Sequence, residues 1–217
     1  SPPSSSSVRK RMKSIQPYVQ TFVLLRQCMN DAIQIENIPV EGTFPEGGLI
    51  SVWTLNRPDK LNSLNSDSHK ALKEACDLAE YNDSIRVIII TGAPPNPPLE
   101  GKKPKPYSFA AGADISEFVG KNSDDVRPFF EDNAWEKVWN LSKPTIAMID
   151  GFALGGGTEL ALSCDIRIAS NRSKFGTPEI NLGLIPGGGG TQRLCRLIGY
   201  GKALETVLTG DMIDSEK

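Results

Sequence analysis

KPTIAMIDGFALGGGTELALSCDIRIASNRSKFGTPEINLGLIPGGGGTQR, running from Lys143 to Arg193, changes its local pattern several times. Thr145 to Ile149 is a short apolar run rich in β-branched residues, the composition of a buried strand. Gly151 breaks it, and Gly155-Gly156-Gly157 then lead into Thr158-Glu159-Leu160-Ala161-Leu162, a helical composition. Glycines ahead of a helix let the backbone approach a ligand with no Cβ in the way. They also leave unpaired N–H groups at the positive end of the helix dipole, where an anion, or an oxygen becoming anionic, is stabilised. Glu159 falls in the first turn of that helix. A second strand, Asp165 to Ser170, and a turn at Gly176-Thr177-Pro178 bring in Glu179, twenty residues further on. Two carboxyls beside such donors form an acid/base pair, one ionised to take a proton and one protonated to give it. Taken singly, each feature is also what an ordinary dipole partner or turn looks like.

The combination is more specific. FALGGGTELALSCD (Phe152–Asp165) followed by FGTPEINLGLIPGGGGTQRL (Phe175–Leu194) resembles the signature of the enoyl-CoA hydratase/isomerase (crotonase) superfamily. The resemblance implies an α/β fold built as a spiral of ββα units. It also implies reversible hydration of a trans-2-enoyl-CoA to a 3-hydroxyacyl-CoA, in fatty acid or amino acid degradation, with Glu159 and Glu179 as the catalytic pair. Asn56 to Leu64 resembles the family's opening loop, which implies that Lys60 meets coenzyme A. Phe109-Ala110-Ala111-Gly112-Ala113-Asp114-Ile115 resembles its second signature. There the N–H groups of Ala113 and Gly156 would form the oxyanion hole, and Ala111, Ala113, Asp114, Ile115 and Ser116 would cradle the adenine end of CoA. No metal and no cofactor is implied, coenzyme A being part of the substrate. Members that isomerise Δ3 to Δ2 enoyl-CoA commonly keep only the later acid, so the glutamate pair favours hydration. Isomerisation and a truncated, non-catalytic acyl-CoA-binding protein are the alternatives.

Length and composition agree with one sizeable domain. The chain has 217 residues, 39% hydrophobic, with a formal net charge of −2, which singles out neither nucleic acid nor membrane as a partner. Cys28, Cys76, Cys164 and Cys195 are widely spaced and His69 is the sole histidine, so histidine metal sites and Ser-His or Cys-His triads are nearly excluded. Free thiols suit a reducing compartment, mitochondrial matrix or cytoplasm. Residues 1–32 are Ser/Pro-rich and basic: Arg9, Lys10, Arg11, Lys13 and Arg26 precede the first acid, Asp31. They read as a transit peptide or a disordered tail, with Tyr18 to Met29 able to form an amphipathic helix.

Within residues 33–217, the core domain, Ile33-Gln34-Ile35 and Leu49 to Leu55 read as a hairpin turning at Gly47-Gly48. Asp67 to Glu80 reads as a helix with His69 on its exposed side, and Arg86 to Thr91 as a core strand. Gly92 to Ser108 is a Pro-rich insertion longer than the family's usual turn; Lys102, Lys103 and Lys105 in it are suited to CoA phosphates. Val126 to Leu141 reads as one amphipathic helix with Phe129, Phe130, Trp135, Val138 and Trp139 inward, and Thr191 to Ile198 and Lys202 to Leu208 as two more. Gly187 to Gly190 lacks the Lys-Ser/Thr of a phosphate loop. Family members continue beyond the position of Lys217 through another strand and C-terminal helices. Those helices complete the acyl pocket and the contacts of a homotrimer or hexamer, so the resemblance spans Ile33 to Lys217 without that helical part.

Overall fold

The computed structural model describes residues 30–40 and 47–216 of the chain. The expectations for the basic N-terminal stretch lie outside the described residues. β1 (Ile33–Val40) and β2 (Gly48–Leu55) pair antiparallel from Ile33↔Leu55 to Val40↔Gly48, as the hairpin pattern requires. From there as far as Gly176 the chain deals strands alternately to two sheets, and the last strand returns antiparallel to the second. β3 (Ile85–Gly92), β5 (Thr145–Ile149) and β7 (Ile166–Ala169) extend the first, in the order β1-β2-β3-β5-β7. β4 (Ser108–Ala110), β6 (Phe152–Leu154), β8 (Lys174–Gly176) and β9 (Ile213–Asp214) make the second, in that order. Each turn of the chain thus lays one strand in each sheet and closes with helix, which is the ββα spiral.

The helices are α1 (Ser66–Glu80), α2 (Ser123–Glu131), α3 (Ala134–Trp139), α4 (Gly156–Ser163), α5 (Gly190–Ile198) and α6 (Tyr200–Thr209). α1 starts where the Asn65 side chain accepts the Ser68 N–H at 3.0 Å, and buries Ala71, Leu72, Ala75, Cys76 and Ala79 at helical spacing. α4 is buried along its whole length, packed against β4 and β6 of the second sheet and against α3 and α5. The main core joins Trp53, Leu55, Ile88, Ile90, Phe109, Trp135, Ile149 and Leu160 across both sheets. None of the helices among the described residues is long and apolar enough to cross a membrane.

Four expectations are corrected. His69 is buried, at 5% exposure, because it lies three and seven residues before Leu72 and Cys76 and so shares their face. Val126 to Leu141 is two helices, since Asn133 caps a new one through the Glu136 N–H at 2.9 Å while also donating to the Phe130 carbonyl at 2.6 Å. Of its aromatic residues, Trp139 is half exposed, beneath the Arg193 guanidinium. The Thr145–Ile149 strand is buried on one face only: Met148 is 45% exposed, and Ile166 and Ile168 continue that open face on β7.

Candidate active site

Two loops carry the first half of the site. Asn62 occupies left-handed backbone (φ 55°) so that its side chain can turn inward. Its amide donates to the Ala93 and Ser108 carbonyls at 2.9 and 2.8 Å, and its oxygen accepts the Arg57 N–H. That pins the Asn56–Leu64 loop against the next one. Ala111 N–H donates to the Leu61 carbonyl, Leu64 N–H to the Gly112 carbonyl, and Asp114 N–H to the Leu64 carbonyl. In this parallel bridge the Ala113 N–H lies between the ladder bonds and points the other way. Asp114 is tied to Arg57 at 2.8 Å, and its carboxyl is held below the ordinary range by the Ser116 hydroxyl first and then by that guanidinium. Lys60, Ile115 and Ser116 are exposed around the same loops. Lys105 donates to the Asp59 carbonyl at 2.8 Å, which anchors the Pro-rich insertion beside Lys60; Lys102 and Lys103 are exposed.

The head of α4 supplies the second half. Thr158 Oγ1 donates to the carbonyls of Ala153 and Gly176, and the Gly155 N–H donates to Gly176, so the helix start is laced to β6 and β8. Gly155, at φ 51°, makes the corner. A Cβ on Gly156 would lie 3.4 Å from the Ala113 nitrogen, so the two proposed donors belong to adjoining backbone. Gly156 opens α4 and its N–H has no partner within the helix. Because β8 abuts that corner, the short helix Pro178–Leu182 places Glu179 over it: Oε1 lies 2.8 Å from where a Gly155 Cβ would be.

Glu159 sits in the first turn of α4, 2% exposed. Its Oε1 accepts the N–H groups of Gly188 and Gly190 at 2.7 and 2.8 Å. Burial pushes its carboxyl up to about 7, and the charge on Glu179 adds to the rise. The two amide donors and the nearby Arg193 oppose it. Burial also raises Glu179, whose Oε2 is buried without a hydrogen-bond partner. The two carboxyls are therefore electrostatically coupled, one braced by amides and one with an unused oxygen.

The Gly187–Gly190 run is thus not a phosphate loop; it is the cradle of Glu159, a role the sequence reading missed. A Cβ on Gly188 would lie 2.8 Å from Glu159 Oε2, and one on Gly190 would lie 2.9 Å from Oε1. Arg193, buried in α5, holds the run by donating to the Gly188 carbonyl at 2.7 Å and to Glu136 at 2.6 Å. Four glycines opening a helix were the available signal, by the same argument applied to Gly155–Gly157.

Residues 46–217 match the family model described as enoyl-CoA hydratase/isomerase. The chain belongs to that family. It is 41% identical over 187 residues to a short-chain-enoyl-CoA hydratase of Clostridium acetobutylicum, covering 85% of this chain and 66% of that one. It is 39% identical over 170 residues to a crotonyl-CoA hydratase of Syntrophomonas wolfei, covering 77% and 61%. Among solved structures, an enoyl-CoA hydratase of Bacillus anthracis superposes with a TM-score of 0.72 at 38% identity, covering 85% and 65%. The chain spans slightly less than two thirds of the length of these relatives.

Proposed function

We propose that this protein reversibly hydrates trans-2-enoyl-CoA thioesters to 3-hydroxyacyl-CoA. The observation that carries the reading is the pairing of Glu159 and Glu179 around the Gly155–Gly156 corner, opposite the Ala113 N–H. With the thioester oxygen between the Ala113 and Gly156 N–H groups, electron density is drawn from C3 and charge developing on that oxygen is stabilised. Glu159, its Oε1 held by two amides, takes a proton from water with its remaining oxygen as the water oxygen bonds to C3. The C2–C3 π electrons pass to the thioester, giving an enolate. Glu179 then gives a proton to C2, and the pair resets by returning the proton from Glu159 to Glu179 through solvent. A base near pKa 7 suits transfer in either direction at neutral pH. No step calls on a cofactor.

The loops at Lys60 and at Ala111, Asp114, Ile115 and Ser116 would hold the CoA moiety, and residues 33–217 would form the catalytic body. Names of the relatives support a short acyl group, and the family a homotrimer or hexamer. Cys76 and Cys164 are buried thiols pushed up to about 12 by burial, suited to a reducing compartment such as the mitochondrial matrix or cytoplasm.

Loss of the conjugated enoyl absorbance of crotonyl-CoA measures the reaction. Glu159→Gln and Glu179→Gln should each lower kcat by roughly 10²–10⁴-fold with binding retained. A wild-type protein that binds crotonyl-CoA and never hydrates it, yet converts a 3-enoyl-CoA, would be an isomerase instead.

A further inference from the structure

Trp135 is the second residue of α3 and 1% exposed, the profile of a core residue. Its surroundings are unusual for one. The indole N–H donates to the Gly156 carbonyl at 2.8 Å. The ring also presses on two glycines: a Cβ on Gly156 would lie 2.9 Å from Cζ2, and a Cβ on Gly188 would lie 2.6 Å from Cδ2. Those two residues belong to different halves of the machinery. Gly156 offers an N–H to the thioester oxygen, and Gly188 offers the N–H that holds Glu159 Oε1 at 2.7 Å. One rigid ring therefore spans the gap between the oxyanion donor and the brace of the base.

We propose that Trp135 is a positioning residue that sets the Gly156 oxyanion donor and the Glu159 carboxylate in register with each other. This rests on the hydratase reading above. The ring is fixed on its other sides as a spacer must be. Phe130 stacks parallel to it at 6.2 Å and 11°, while Phe129 and His69 meet it edge-on at 6.0 and 4.6 Å. Asn133 caps the start of α3, and the Ala134 N–H reaches His69 Nδ1 at 3.4 Å. Loss of the indole N–H removes the tie that fixes Gly156 against α3, so its backbone and the donor it carries can shift, while loss of ring area lets the glycine run settle and carries Glu159 with it.

Trp135→Phe keeps an aromatic ring and removes the N–H. Trp53→Phe is the matched control, since Trp53 is equally buried and donates its indole N–H to Ser51 at 2.9 Å within its own strand. Two readouts apply to each variant: kcat and KM for crotonyl-CoA, and the red shift of a bound cinnamoyl-type CoA thioester. That shift reports carbonyl polarisation without turnover. Trp135→Phe should lower kcat by the order of 10- to 100-fold, leave KM within about twofold, and shrink the red shift. Trp53→Phe should lose stability and leave both readouts unchanged. An undiminished red shift and kcat in Trp135→Phe overturns the proposal, as do equal losses of activity in the two variants. If the wild type binds the chromophore with no red shift, the oxyanion reading itself fails and this proposal goes with it.

Discussion

Glu159 and His69 are both buried and titrate in opposite senses, so each makes a separate prediction about pH. Glu159 rises from an ordinary value of 4.5 to about 7, which means the folded protein prefers it protonated. Its contribution to stability is complete below about pH 4.5 and is lost as pH rises through 7, amounting to about 3 kcal/mol. Glu159→Gln stays neutral and escapes that loss. Its urea midpoint should gain on the wild type between about pH 5 and pH 8, and an unchanged difference across that range would show that Glu159 is not perturbed. His69 goes the other way: burial, then the charge on Lys73, pulls it from 6.5 to about 4. The native state keeps it neutral between Phe129 and Trp135, so stability present above pH 6.5 is lost as pH falls toward 4, again by about 3 kcal/mol. His69→Gln should flatten this acid limb, and a limb as steep as that of the wild type would rule the histidine out as its cause.

Among the elements, α4 owes its position to a glycine that tolerates no substitution, and α6 contains one that does. A Cβ on Gly157 would fall well inside contact distance of the Ala110 carbonyl and 2.9 Å from the Ala110 Cβ, where neither backbone has room to yield. Gly157→Ala should therefore lift the head of α4 off β4. Its cost is about 1–3 kcal/mol of overpacking, with lower kcat because Gly156 and Ala113 part. At Gly201, in the first turn of α6, nothing lies within 4 Å and no left-handed backbone is required. Gly201→Ala should raise stability by about 0.4–1 kcal/mol, so thermal denaturation of the two variants should move in opposite directions. The same contrast explains what the sequence made legible. Strands and helices with a clear period were readable, and so was the site at Gly155–Gly157, because a strand, a glycine run and a helix follow each other locally. The break at Asn133 was harder, since apolar spacing continues through it and only Asp132-Asn133 marks a cap. The partnership of Gly187–Gly190 with Glu159 crosses 29 and 31 residues and exists only in three dimensions.

On the scale of the whole molecule, the described residues are not held equally. One core runs through α1, α3, α4 and both sheets, whereas α5 and α6 meet α4 through a small separate cluster of Leu162, Leu194 and Ala203. A cavity of about 930 Å³ lies on this side, lined by Leu162, Phe175, Leu197, Thr206 and Met212. α6 buries only Ala203 and Thr206 and leaves Tyr200 and Leu208 largely exposed. Burial at this density stabilises an element weakly, so α6 and β9 should open without the rest. The exposed faces of β5 and β7 were as illegible as this cavity, because an apolar run reads as buried whether or not anything covers it. Native-state hydrogen exchange distinguishes the layers: amides of α6 and β9 should exchange by local opening, independent of dilute urea, while those of β3, β5 and α4 should exchange only with global unfolding. The consequence reaches the site through α5, whose first residue, Gly190, holds Glu159 at 2.8 Å. Protection at the Gly190 amide should fall between the two classes, tied to the core by Glu159 and to the loose end by its helix. If α6 proves as protected as β3, the small cluster and cavity do not limit local stability, and Glu159 rests on a uniformly rigid frame.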